Sequence, residues 1–353
     1  MLKFKRNLFA IILKQNFYST NASNKIQANA HEKLIKVAVI GLPNAGKSTL
    51  INSIMEKRLC PVSEKVHTTQ SYSQSIKNRY NSQIIIFDTP GIVNEREMKK
   101  HNLDKSFSSA CRHSIQNSDV IAVLHDISNR WTRNALSPMI IDLLKEFHKI
   151  PSVLVLNKID RVRSKRVLLE IIRKLTNNNI SLDPHFAHFV KKVPLEKPME
   201  QIDSEKEEGW SYFKEVFLVS SIKGDGVEKL VDYFTSKSTH RPWEFKDDVN
   251  TDQNPEFLIE QFVRARLLDF LSQEIPYNLK TELEYFSNKN NRIFASVNII
   301  CPNARHEKLV CGALDGKLRQ ITDRVTSDLI ECFRQPVTLT VCTSVNKNSN
   351  NKK

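Results

Sequence analysis

Residues 36–49 read KVAVIGLPNAGKST and run on into LINSIME at 50–56. KVAVI is a β-branched run with the character of a buried strand, and LINSIME spaces its apolar residues as a helix does. A strand, a glycine-rich turn and a helix form the context that the pattern GxxxxGK[ST] requires. Gly41 and Gly46 let the chain fold round an anion, so that loop N–H groups and the helix N-terminus point at phosphate. The cradle spans Gly41, Leu42, Pro43, Asn44, Ala45, Gly46, Lys47, Ser48 and Thr49. Lys47 is placed to reach β- and γ-phosphates, and the Ser48 hydroxyl to hold Mg²⁺. The stretch therefore predicts an α/β fold, a P-loop domain with a mostly parallel sheet and helices on both faces.

The motifs downstream select the base. QIIIFD (83–88) is a buried-strand run that ends in Asp88-Thr89-Pro90-Gly91. Asp88 is expected to hold Mg²⁺ through water, and the Gly91 N–H to sense the γ-phosphate. PSVLVLNKID (151–160) puts NKxD at the end of another strand. The Asp160 carboxylate accepts two hydrogen bonds from N1–H and N2–H₂ of guanine, which adenine does not offer. Asn157 is expected to brace the P-loop and touch the base, and the Lys158 stem to stack on the ring. VFLVSS (216–221) ends in Ser220-Ser221, whose backbone N–H groups are expected at guanine O6. GTP and GDP are thus the predicted ligands, with Mg²⁺.

Two positions bear on hydrolysis. EKVHTTQS (64–71) is polar and without periodicity, as a switch loop is, and Thr68 or Thr69 is placed to close on Mg²⁺ and the γ-phosphate. Loop spacing does not choose between the two, and a surface loop with incidental threonines is the plainer reading. After DTPG stands Ile92, where Ras-type proteins have a water-orienting glutamine. An apolar side chain does not orient water, so slow hydrolysis is expected. Asn44 either helps K⁺ to sit against the phosphates or only shapes the turn.

The chain has 353 residues and a net charge of +14. No run of about 18 apolar residues is present to span a bilayer as a helix. Before Glu32 there are five basic residues (Lys3, Lys5, Arg6, Lys14, Lys25) and no acid. Leu2, Leu8, Phe9, Ile12 and Leu13 share one helical face there, the composition of a mitochondrial presequence over 1–31. Lys14 cuts the apolar core too short for a secretory signal; a basic tail is the plain alternative. Residues 1–239 carry 37 basic and 24 acidic side chains, against 16 and 15 in 240–353, so the charge permits an RNA partner without placing it. The six cysteines are scattered with no CxxC pair, as reduced thiols are.

Past a polar linker, NTDQNPE (250–256), the pattern changes. PEFLIEQFVRARLLDFLS (255–272) has one apolar helical face. KTELEYF and RIFASVNII read as strands, DGKLRQITDRVTSDLIECF as a second amphipathic helix and PVTLTVCT as a last strand, which makes a small α+β unit. Between 181 and 213 lies a long insertion with an acidic piece. The tail 346–353 reads as disordered.

GLPNAGKSTLIN, HTTQ, DTPGI, NKID and VSS, with NRWT at 129–132 and RPWEF at 241–245, resemble the Era family of GTPases, in particular its mitochondrial branch. The resemblance covers about 34–345 and implies an Era-type GTPase domain over 32–239 and a type II KH domain over 240–345. It also implies a partner, small-subunit mitochondrial rRNA in the assembling small ribosomal subunit, with the chain a monomer in the matrix. A peripheral contact with the inner membrane is left open. KH domains clamp about four nucleotides on a GxxG loop. Here Gly312-Ala313-Leu314-Asp315 fills that loop, with Gly316 one residue late and an acid where the second glycine belongs. Lys308, Lys317 and Arg319 are placed to offset its charge. A non-catalytic GTP sensor and a tRNA-modifying GTPase are the rival readings.

Overall fold

The structure, a computed structural model, describes residues 31–63, 65, 73–92, 106–179, 208–272 and 274–346. The presequence, Thr68 and Thr69, most of the 181–213 insertion and nearly all of the 346–353 tail lie outside the described residues. Strands β1 (Lys33–Ile40), β2 (Ser73–Arg79), β3 (Ser82–Asp88), β4 (Val120–Asp126), β5 (Ser152–Asn157) and β6 (Phe213–Val219) form one sheet in the order β2-β3-β1-β4-β5-β6. Only the β2–β3 hairpin on this path is antiparallel; the short β7 (Thr239–His240) runs antiparallel to the start of β1.

Alternating residues of β1 feed two cores. Val37 and Val39 face α1 (Lys47–Met55) and α5 (Val227–Lys237), through Leu50, Ile54, Leu230 and Phe234. Ala38 and Ile40 face the other layer, α2 (Ser106–Gln116), α3 (Pro138–Glu146) and α4 (Lys165–Leu175), through Ile115, Ile140 and Ile172. A strand covered on both sides is apolar throughout, which is why QIIIFD and VLVLN lack alternation.

The second unit runs α6 (Pro255–Phe270), β8 (Lys280–Lys289), β9 (Arg292–Cys301), α7 (Ala304–Cys311), α8 (Gly316–Phe333) and β10 (Val337–Val345), with sheet order β10-β9-β8. Asn254 caps α6 by accepting from the Glu256 N–H, with Pro255 at the first helical position. Asn290 and Asn291, both at positive φ, close the β8–β9 hairpin, as the right-handed strand twist favours. β9 and β10 are parallel, so the chain crosses back through α7 and α8. The sequence reading names no element over 304–311: eight residues with one fully buried apolar side chain, Val310, carry too little periodicity to stand out.

The stretch between the units is no free linker. Arg241 pairs with Asp119, Gln83 exchanges side-chain and backbone bonds with Glu244 and Phe245, and Ile76 N–H donates to Asn250 O. Residues 244–252 are thereby laid along the β2–β3 side of the sheet, which covers an edge that would otherwise be open.

An ionic cluster seams the two units. Asp328 of α8, 1 % exposed, takes Arg266 Nε of α6 at 2.5 Å and Arg58, from the turn after α1, at 2.8 Å. Arg266 also holds Asp269, which accepts from Ser63 Oγ. Lys65 Nζ donates to Leu271 O, and Arg334 to Glu56 O. The segment leaving the P-loop helix is thus fastened to the second unit before residue 66.

Asp328→Ala strands the buried Arg266 cation and is expected to lower unfolding free energy by about 3–5 kcal/mol. Arg58→Ala, at 23 % exposure, should cost only about 1 kcal/mol. Urea unfolding of both variants checks the ranking. A second expectation concerns His125 of β4, whose buried ring donates from Nε2 to Arg133 O at 3.1 Å. Burial lowers its pKa below 6.5, with the Arg133 carbonyl partly offsetting it. The unfolded chain therefore takes up this proton first, and the stability is whole above pH 6.5 and lost as pH falls through the lower folded value. Melting temperatures of wild type should drop between pH 7 and pH 5 by more than those of His125→Gln.

Candidate nucleotide site

The site lies at the carboxyl ends of β1, β3, β4, β5 and β6. Gly41 leaves β1 so close to β4 that a Cβ there would stand 2.5 Å from Leu124 O. Gly46 has φ +99, and a Cβ would meet Asn157 Nδ2 at 2.4 Å. These two contacts explain why the loop admits only glycine at both positions. Between them Asn44 adopts φ 59, a left-handed turn that asparagine tolerates.

Lys47 opens α1. Its Nζ donates to Gly41 O and Leu42 O, each at 3.0 Å, and burial lowers its pKa to about 8 against the opposing pull of Asp88. Ser48 Oγ donates to Asp88 Oδ2 at 3.1 Å. Asp88 Oδ1 is buried with no hydrogen-bond partner, and burial raises this carboxyl's pKa although Lys47 and Ser48 pull it down. A buried, unsatisfied carboxylate oxygen beside a hydroxyl is a donor set of the hard-oxygen kind that Mg²⁺ takes. Among the described residues no three His, Cys, Asp or Glu side chains converge as a separate metal cluster.

Asn157 ties the base side together. Its Nδ2 donates to Ala45 O at 2.8 Å, while Oδ1 accepts from Lys158 N, Ser221 N and Ser221 Oγ. Lys158 sits at φ 67 and spans the site, with Nζ 2.7 Å from Asn44 O and 2.6 Å from Asp126 Oδ2. Burial would raise the Asp126 pKa, but bonds from Lys158 and Ser128 win and lower it. Asp160 accepts from Ser220 Oγ at 2.6 Å.

Several placements differ from the sequence reading. The Ser220 N–H donates to Asp225 O and the Ser221 N–H to Asn157 Oδ1, so both amides are engaged at the strand end. Thr89 is fully buried and its hydroxyl donates to Val39 O, which pins β3 to β1; it is not turned to the cradle. Pro90 is buried too. Gly91 packs against Pro43, and Ile92 sinks into the apolar core while its N–H donates to Gly41 O. Asp126 was missed, though it closes the apolar run VIAVLH in register with Asn157.

The loop from α7 to α8 also departs from a standard clamp. Gly312 has φ 73, Leu314 φ 48 and Asp315 φ 56, whereas Gly316 is ordinary helix. The left-handed residue before α8 is therefore Asp315, and Leu314 at the tip is wholly exposed. Burial raises the Cys311 pKa and the neighbouring Asp315 carboxylate adds to it, so that acid lies by the thiol. Lys308 and Arg319 are exposed and Lys317 half-buried around Ala313.

A phosphate cradle, a lone carboxylate beside a serine and an NKxD loop on one sheet edge, followed by a small α+β unit, define a P-loop GTPase with a KH-like domain. A family described as 50S ribosome-binding GTPase matches residues 36–158. The mitochondrial Era GTPase of Danio rerio is 31 % identical over 340 residues, which cover 89 % of this chain and 76 % of that one. That of Salmo salar is 30 % identical, with 89 % and 77 % covered. GTPase Era of Clostridium botulinum is 29 % identical over 85 % of this chain and 88 % of its own. A crystal structure of Era in complex with MgGDPNP and nucleotides 1506–1542 of 16S ribosomal RNA superposes with a TM-score of 0.69 at 24 % identity, over 90 % of this chain and 95 % of that one. The chain belongs to the Era family of GTPases.

Asn157→Ala removes the one side chain shared by the P-loop, the NKxD turn and the Ser221 turn. With the Ala45 carbonyl and the Ser221 N–H left unsatisfied, about 2–4 kcal/mol of stability should go. Differential scanning calorimetry with and without GDP should show a lower melting temperature and a smaller ligand-induced rise.

Proposed function

We propose that this chain is a mitochondrial RNA-binding GTPase that joins the assembling small ribosomal subunit with GTP bound and leaves after hydrolysis. The observation that carries the reading is the seam at Arg58, Ser63 and Lys65, which fastens the segment leading to the nucleotide switch directly onto the KH-like unit. Support comes also from the relatives named for mitochondrial Era and from the related Era structure with 16S rRNA.

In this reading Gly41–Thr49 cradle the phosphates, Lys47 neutralises the β- and γ-oxygens, and Asp160, Asn157 and Lys158 read guanine, with Ser220 orienting Asp160. Ser48 and Asp88 hold Mg²⁺ together with Thr68 or Thr69; the ion, when bound, offsets charge on the phosphate oxygens. Gly91 offers its N–H toward the γ-phosphate. Water attacks without a positioned glutamine, because Ile92 is packed in the core, so turnover is slow. Asn44 shapes its turn and also offers its side-chain oxygen to K⁺. The loop around Gly312, with Lys308, Lys317 and Arg319, meets rRNA, and residues 1–31 direct the monomer to the matrix. The burial of Ile92 also favours a second reading, a GTP sensor that scarcely turns over.

Single-turnover hydrolysis in K⁺ and in Na⁺ separates the two. Faster release of phosphate in K⁺ that Asn44→Ala abolishes is expected, and no turnover in either salt, with or without small subunits, favours the sensor. Crosslinking in mitochondria followed by RNA sequencing should recover small-subunit rRNA; recovery of tRNA instead would overturn the partner. Asp160→Asn should trade GTP for xanthosine triphosphate.

A further inference from the structure

Two stretches have no part in the nucleotide site: NRWT (129–132) and the basic run RVRSKR (161–166) after NKID. The fold brings them to one place. Asp126 and Asn157 are paired at the ends of the neighbouring strands β4 and β5, Ile127 N–H donates to Asn157 O, and Lys158 reaches Asp126. The two loops therefore leave the sheet about 5 Å apart, one strand spacing. Their apolar members, Ile127, Leu136, Ile159 and Val162, all turn into the same core, and this leaves Arg130, Trp131, Arg161 and Arg163 outside.

Trp131 is 95 % exposed. Its loop is pinned below by His125 to Arg133 O, by Ser128 to Asp126 Oδ1, and at the tip by Trp131 N–H to Asn129 Oδ1. The ring is thus presented on a braced turn. Residues 127–137 and 158–168 hold seven basic side chains (two and five) and one acid, Asp160, which faces Ser220. Arg166 has its own exposed partner, Glu170 at 3.6 Å.

We propose that this edge of the GTPase domain is a second RNA contact, in which Trp131 stacks on an unpaired base and Arg130, Arg161 and Arg163 hold the flanking phosphates. Guanidinium forks match phosphate oxygens, and a single exposed indole gives a sequence-tolerant platform. Duplex RNA keeps its bases stacked inside and offers the ring nothing, so the partner is single-stranded. A membrane fits less well, because the two loops expose one aromatic ring and no other large apolar side chain for insertion. The inference deepens the RNA-binding reading given above and rests on it, but it concerns a face on the other domain.

The test uses the full chain with GDP, a fluorescent twelve-nucleotide oligouridylate, a twelve-base-pair RNA duplex and phosphatidylcholine vesicles containing cardiolipin. Trp131→Ala should weaken oligouridylate binding about tenfold. Arg161→Gln with Arg163→Gln should do the same and reduce the salt dependence by about 1.4 in log–log slope. Duplex binding of Trp131→Ala and basal GTP hydrolysis of all these variants should not change. Ultraviolet crosslinks of wild type to the oligouridylate should map to 129–133 and 161–166, a readout that needs no variant. Unaltered affinity in both variants, or crosslinks confined to the loop around Gly312, would overturn this contact and leave the RNA-binding reading standing. Loss of vesicle flotation with oligouridylate binding intact would overturn it in favour of a membrane. An absence of crosslinks anywhere in the chain would remove both.

Discussion

The Asn157 side chain bonds three loops at once, and the nucleotide site depends on it. Its amide N–H holds the P-loop carbonyl at Ala45, and its oxygen collects the Lys158 amide together with the amide and hydroxyl of Ser221. Each of these loops leaves a different strand, β1, β5 or β6. One small planar group with donor and acceptor on opposite sides sets their spacing. Gly46 follows from this, since any side chain there would collide with the same amide. The base side of the site is therefore pre-shaped by a buried amide whose nitrogen and oxygen are both engaged, which is the condition for such a group to stabilise.

The same economy appears where the units meet. Asp328 is buried against three arginines, Arg266 and Arg324 from its own unit and Arg58 from the turn after the P-loop helix. A buried carboxylate is tolerable only with such partners, and here the partners come from both sides of the seam. Together with the strap over 244–252, this makes the second unit part of the surroundings of the nucleotide site. A change at the phosphates that moved the segment after Ser63 would be felt at α6 through Asp269 and Leu271.

Much of this was legible in the sequence, for physical reasons that can be named. GLPNAGKS, DTPG and NKID are local: each is a run whose backbone conformation and chemistry are set by its own residues, so the motifs, the strands that carry them and the fold class follow without tertiary information. Buried parallel strands announce themselves as unbroken apolar runs, and α6 and α8 as one-sided helices. What the sequence left out depends on neighbours distant in the chain. Thr89 looks like a ligand contact until β1 supplies the Val39 carbonyl, and the Ser221 amide looks free until Asn157 occupies it. The helix α7 escaped because its one buried apolar face is a single residue wide.

By itself, then, the sequence determined the P-loop α/β class, the α+β second unit and the chemistry available at each motif, because these rest on residue type and short-range spacing. Only the tertiary structure decided which polar groups are already engaged, that Asp315 takes the left-handed turn in the loop before α8, and that Arg58 meets Asp328 some 270 residues later in the chain. It also brought the loops that carry Trp131 and Arg161 out of neighbouring strands, β4 and β5. Such facts turn on which strands are neighbours and which surfaces close against each other, and no local pattern of side chains carries that information.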